Sequence, residues 1–219
     1  MKKLEALILD FYLKNKKDLE NEYKWKVDSV KIPAVISRKH SDNNFELNLD
    51  LKEQLTRAFK VGNIKTQEEL IHFYIYHWGG IRSNSRNTLE KYYFLKPENL
   101  ISFGLKGISS WSKAITVHDY TKYAIFDARV SASLNGLQLS INNAYFFPNI
   151  ASRNNVIKQF NTKIKHYAKR NSWVIMPNYT FYNEYLELLY NVSKNAGVSI
   201  AHIEMCLFAY AEKIVANKL

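Results

Sequence analysis

Apolar residues along this chain recur mostly three and four positions apart rather than in alternation, the spacing of helices that bury one face. Leu4, Leu7, Ile8, Phe11 and Tyr12 form such a stripe and predict a first helix over about Lys3 to Tyr23. Asp50 stands where it could cap a helix over Leu51 to Phe59, and Thr66 with Glu69 has capping-box spacing ahead of Leu70, Phe73 and Tyr74. That second helix is expected to end at Trp78-Gly79-Gly80, with a polar loop, Arg82 to Thr88, leading into a short helix over about 88–94. Pro97 suits the first position of a short element ending near Gly104. Farther on, Ser152 to Arg170 places Ile157, Phe160, Ile164 and Tyr167 on one face, and two more helices, Phe181 to Asn195 and Ser199 to Ala216, are separated by Gly197 and a Ser199 cap. One stretch breaks the rhythm. Residues 25–49 contain Pro33, an Asp-Asn-Asn turn and alternating Phe45, Leu47 and Leu49, which predicts a short strand or extended loop near residues 30–49. The class that follows is all-α, mostly helical, with at most that one β element.

Composition supports a folded core. The 219 residues are 47% hydrophobic and 23% charged, with only 7 Gly and 4 Pro, and a chain of this size buries roughly 70% of its unfolded surface. The net charge of +11, from 31 Lys and Arg against 20 Asp and Glu, favours a polyanionic partner through counterion release. A membrane partner is not expected, because no run of about 18 apolar residues occurs and neither terminus offers a basic helix with a strongly apolar opposite face. Lys2 and Lys3 imitate a signal sequence, but Glu5 and Asp10 interrupt the apolar stretch that export needs, so the expected location is cytoplasmic. Cys206 is the only cysteine; it reads as a buried small hydrophobe and rules out an intrachain disulfide or a cysteine-held iron–sulfur cluster.

The densest information lies between Pro97 and Asn135: a short helix, a tight turn Leu105-Lys106-Gly107-Ile108-Ser109, a second helix from Ser110 to about His118, then Phe126-Asp127-Ala128-Arg129-Val130. This order of helix, apolar-x-Gly-apolar turn, helix, and Asp followed by Arg-Val resembles the helix-hairpin-helix superfamily of base-excision DNA glycosylases, over about 35 of the 219 residues. Ser109 stands where the family has its second Gly, and the interval from Trp111 to Asp127 is shorter than the family's. The resemblance implies a two-lobed helical fold, with a hairpin lobe over about 66–150 and a second lobe from 1–65 with 151–219. It also implies that duplex DNA is held at the turn Leu105, Lys106, Gly107, Ile108, Ser109 and Ser110, whose amides and helix dipole suit a phosphate.

Asp127 then takes the family's catalytic place, activating water and stabilising the cationic sugar as the base leaves, a chemistry akin to glycoside hydrolysis. Spacing alone also allows Asp127 to be only the cap of a helix over Ala128 to Leu137. The family's Schiff-base lysine slot holds Trp111, which cannot be a nucleophile. The resemblance is therefore to the monofunctional branch, which leaves an abasic site; Lys113, two residues on, is the alternative amine. Trp111, Trp78 and Tyr123, and the run Tyr145-Phe146-Phe147, are candidates for an aromatic pocket around a flipped base, or for core. Trp78 is expected in an exposed loop beside Arg82 and Arg86. Arg129 and the basic residues between Arg153 and Arg170, above all Lys158, Lys165 and Lys169, either track a phosphate backbone or form a solvated face. Of the histidines at 40, 72, 77, 118, 166 and 202 only His72 and His77 are close in sequence, and a five-residue spacing puts them on different faces of an α-helix. No metal and no cofactor are expected. The alternative to an enzyme is a non-catalytic DNA- or RNA-binding helical module.

Overall fold

The computed structural model describes every residue except Ser29, Val30, Arg38, His40, Asn142, Asn143, Asn217 and Leu219. The fold is all-α, with twelve α-helices, one π-helix and a two-stranded sheet among the described residues. The chain divides into two compact units: Lys24–Ile125, and Met1–Tyr23 together with Phe126–Leu219. These boundaries differ from the expected 66–150 lobe. Residues 24–65 belong with the hairpin because the helix Asn44–Val61 packs along the helix Ile108–His118, and residues 126–150 belong with the terminal segments because the helix Ala128–Ser140 packs against their helices.

The Lys24–Ile125 unit contains α3 (Asn44–Val61), α4 (Ile64–His72), a π turn (Phe73–Trp78), α5 (Arg86–Phe94), α6 (Pro97–Ile101) and α7 (Ile108–His118). Helix α3 corrects the expected strand. Asn43 caps it by accepting the Phe45 and Glu46 amides, and Phe45, Asn48, Leu51, Lys52 and Leu55 are buried at helical spacing. Leu47 and Leu49 flank that buried stripe, so the apparent alternation is the edge of a helical face. Among the described residues of 30–49 there is no strand, and Val30, Arg38 and His40 lie outside the described residues. Asp50 falls inside α3, and Asn63 rather than Thr66 caps α4, accepting the Thr66 amide. Helix α7 is the axis of this unit, with every residue from Ser110 to Val117 buried. Its polar members are satisfied within the unit: Thr116 Oγ1 donates to the Ser112 carbonyl at 2.8 Å, and Thr56 Oγ1 both donates to the Thr116 carbonyl and accepts the Tyr120 amide.

The other unit holds α1 (Lys2–Asn15), α2 (Leu19–Glu22), α8 (Ala128–Ser140), β1 (Tyr145–Phe146), α9 (Asn155–Arg170), β2 (Val174–Ile175), α10 (Phe181–Ala196), α11 (Ile200–Ala209) and α12 (Ala211–Val215). The predicted first helix is two pieces, broken between Asn15 and Leu19. Helix α8 is buried from Val130 through Gln138, which its small residues permit. Ser131 Oγ donates to the Pro148 carbonyl and Ser133 Oγ to the Leu207 carbonyl. A Cβ at Gly136 would meet Ile214 Cγ2 at 2.8 Å, so the glycine lets α12 approach α8 closely. Asn135 grips the Phe147 backbone by both its amide oxygen and its amide nitrogen. This steers the chain into β1, which pairs in parallel with β2 through Tyr145↔Val174 and Phe146↔Ile175.

Candidate nucleic-acid interface and catalytic carboxylate

Helices α6 and α7 are joined by a short turn that pivots on two glycines in the left-handed region, Gly104 (φ 56°) and Gly107 (φ 72°). Gly107 is the N-cap of α7, and its carbonyl accepts the Ser110 and Trp111 amides at 2.8 and 3.0 Å. A side chain is excluded there twice over, by the backbone conformation and because a Cβ would collide with the buried Tyr92 hydroxyl. Two α7 side chains brace the turn from inside: Trp111 Nε1 donates to the Gly104 carbonyl at 3.1 Å, and Lys113 Nζ donates to the Ser109 carbonyl at 2.7 Å. Lys106 and Gly107 are exposed, Leu105 and Ser109 half-buried, and together they form the outward side of the turn. Ile108 and Ser110 point inward instead. Ser110 Oγ accepts from Asn84 Nδ2 at 3.0 Å, tying the loop before α5 to α7.

The expected aromatic pocket is corrected by burial. Trp111 is fully buried as a strut of its own turn. Trp78 is 8% exposed, stacked on Tyr74 at 4.3 Å and donating to Asn48 Oδ1 at 2.7 Å, so it ends the π turn inside the core and not in an open loop. Phe146 and Phe147 are core as well, whereas Tyr145 is exposed. Tyr123 is half-buried, which raises its phenol pKa. Lys113 is 5% exposed, its stem lying against Gly79, where a Cβ would meet Lys113 Cε at 2.8 Å. Arg82 is exposed with its guanidinium over the Tyr76 ring, and Arg86 is exposed and paired with Glu90 one turn on.

The π turn changes the histidine geometry. Its hydrogen bonds close from i to i+5, so His72 and His77 come together with ring centroids 5.9 Å apart. His72 stacks on Tyr76 at 5.0 Å and shares a hydrogen bond with the Tyr93 hydroxyl through Nδ1. Burial, then the positive fields of His72, Lys31 and Arg82, lower the pKa of His77. Among the described residues no three His, Cys, Asp or Glu side chains converge as a metal site. An α-helical reading of the sequence could not find this pair, because only the π turn creates it.

Asp127 lies in the other unit, the second residue of the segment that begins at Phe126. It caps α8: Oδ1 accepts the Arg129 amide at 2.9 Å and the Val130 amide at 3.1 Å. The side chain is half-exposed, and Oδ2 takes no hydrogen bond from a described residue. Arg129 is turned away, bonded to Glu212 at 2.6 Å and stacked over Phe208, so it leaves the carboxylate unneutralised. The missed residue is Glu204 of α11, buried at 3% exposure. After burial, the negative fields of Glu204 and then Asp127 help push the Tyr23 phenol far up, and both act on Tyr185 as well.

No protein-family model, curated protein or solved structure matches the chain. Among the described residues no helix is long and apolar enough to cross a membrane. A cavity of about 780 Å³ opens beside α3 and the start of α4, lined by Lys39, Asp50, Glu53 and Arg57 among others. It holds none of the catalytic, pocket or DNA-binding residues expected from the sequence, and Lys39 pairs with Asp50 and Arg57 with Glu53 across its wall. On α9, Lys158, Lys165 and Lys169 are exposed and carry no ion pair to a described residue.

Proposed function

We propose that this protein is a monofunctional DNA N-glycosylase that hydrolyses the bond between a damaged or modified base and its sugar. The observation that carries the reading is the state of Asp127. Two backbone amides orient the carboxylate through one oxygen, while the other oxygen is available to a water molecule or to the positive charge that develops on the sugar. The hairpin turn supports the DNA half of the reading. Gly107 brings the backbone outward at the N-terminus of an eleven-residue helix, where dipole and amides favour phosphate, and Lys106 adds an exposed charge. No step requires an amine nucleophile, since Lys113 is held by the Ser109 carbonyl.

Asp127 as a pure cap is the competing reading, and the same two hydrogen bonds favour it; the chain would then be a non-catalytic nucleic-acid-binding module. Asp127→Asn separates them, because asparagine caps helices as well as aspartate does and removes only the charge. Duplexes carrying a panel of modified bases are incubated with the protein and probed for alkali-labile abasic sites. The glycosylase reading expects sites from the wild type and none from Asp127→Asn at unchanged stability; equal yields from both would remove Asp127 from the chemistry. The binding module expects no sites from either and slightly tighter DNA binding by the variant.

A further inference from the structure

From Ala128 to Asn183 the chain contains no Asp or Glu, yet it carries Arg129, Arg153, Lys158, Lys163, Lys165, Lys169 and Arg170. Most of these lie on α9, whose apolar positions Ile157, Phe160, Ile164 and Ala168 are buried in their own unit, leaving the basic face outward. The last turn of α9 feeds directly into β2. Trp173 anchors the junction, its amide bonded to the Ala168 carbonyl at 2.8 Å and its ring set edge-on against Tyr167. Beyond it the surface is apolar: Val174 and Ile175 are 54% and 53% exposed, Tyr145, paired with Val174 across the sheet, is 54% exposed, and Tyr179 reaches 76%.

We propose that this face, the basic end of α9 together with Tyr145 and Tyr179, is a second nucleic-acid surface that holds unpaired nucleotides. The inference deepens the nucleic-acid reading but needs no chemistry at Asp127. Positive charge selects a polyanion, and exposed aromatic rings beside it select bases whose faces are free to stack, which a duplex does not offer. A membrane is the poorer match. An interfacial helix inserts its own apolar face, and that of α9 is already buried in the core.

Fluorescence anisotropy with a labelled single-stranded oligonucleotide and its duplex, over a series of salt concentrations, tests the proposal on the full chain. The duplex also has the hairpin turn to bind, so the tyrosine variants are read on single-strand binding. Tyr179→Ala and Tyr145→Ala are expected to weaken it by roughly five-fold or more each, at unchanged salt slope. Lys169→Gln with Arg170→Gln is expected to flatten the slope of log K against log salt by about 1.4. These positions are exposed, so thermal melting should be unaltered. Tyrosine variants that bind the single strand as the wild type does, or that weaken duplex binding by the same factor, would overturn the proposal. So would sedimentation with anionic phosphatidylglycerol vesicles in place of oligonucleotide binding. Asp127→Asn should retain single-strand binding, so loss of the glycosylase reading and loss of this one are separately visible.

Discussion

Replacing Gly107 by alanine perturbs the hairpin at one atom, and the structure divides the cost in two. Alanine in the left-handed region at φ 72° costs about 1–2 kcal/mol. The added Cβ also runs into the Tyr92 hydroxyl, an overpacking of a buried site that costs about 1–3 kcal/mol more. The expected loss is therefore about 2–5 kcal/mol, a large share of the roughly 5–15 kcal/mol that holds a domain together. Urea unfolding followed by far-ultraviolet circular dichroism measures it, and two companions apportion it. Gly80→Ala shares the positive φ of 64° but meets nothing within 4 Å, so it should lose only the backbone part. Tyr92→Phe added to Gly107→Ala removes the colliding oxygen and leaves the ring carbon at 3.5 Å, an ordinary contact, so the double variant should recover the steric part. Gly107→Ala no less stable than Gly80→Ala, or a second substitution that restores nothing, would refute this division of the cost.

Other outcomes follow from the same structure. Asp127→Ala, which removes the cap, should cost about 0.5–2 kcal/mol in the same unfolding assay, whereas Asp127→Asn should stay near the wild type. Burial holds the His118 pKa down to about 4, so the unfolded chain takes up this proton first; stability from this group is complete above about pH 6.5 and is lost as pH falls toward 4. The slope is at most about 1.4 kcal/mol per pH unit, and less for a ring that is not fully enclosed; stability curves of wild type and His118→Leu should converge in slope above that window and diverge within it. Trp111→Phe, which strands the Gly104 carbonyl, should lower stability by about 1–3 kcal/mol, with no specific effect on base removal beyond that loss. Borohydride added during turnover should trap no covalent protein–DNA adduct, because the Lys113 amine is tied to the Ser109 carbonyl; an adduct that disappears with Lys113→Gln would reverse that assignment.

Most of the helical architecture was legible because its signals are local. The Pro97 start, the Gly197 stop and the buried stripe Ile157, Phe160, Ile164 all lie where period and capping place them. What was not legible depended on partners distant in sequence. Phe45, Leu47 and Leu49 imitate a strand until Asn43 caps them into α3. The π turn brings His72 to His77 against the α-helical period. Trp78 and Trp111 carry the composition of a base pocket but are claimed by Asn48 and by the Gly104 carbonyl. Asp127 was singled out by the resemblance of its segment, and its spacing alone reads as the helix cap that it forms, whereas Glu204, buried within an apolar helical run, gave no signal that separates it from a solvent-facing residue.

The most direct test of the account uses no particular base. A duplex containing a cationic pyrrolidine in place of one sugar mimics the charge that the reaction creates, and a duplex with an uncharged abasic sugar analogue is its control. Measured by competition at fixed salt, the protein should prefer the cationic duplex by tenfold or more, roughly the scale of one charge contact, and Asp127→Asn should abolish that preference while still binding the neutral duplex. Equal affinity of the wild type for the two duplexes, or a preference that survives in Asp127→Asn, would contradict a carboxylate poised for an oxocarbenium ion.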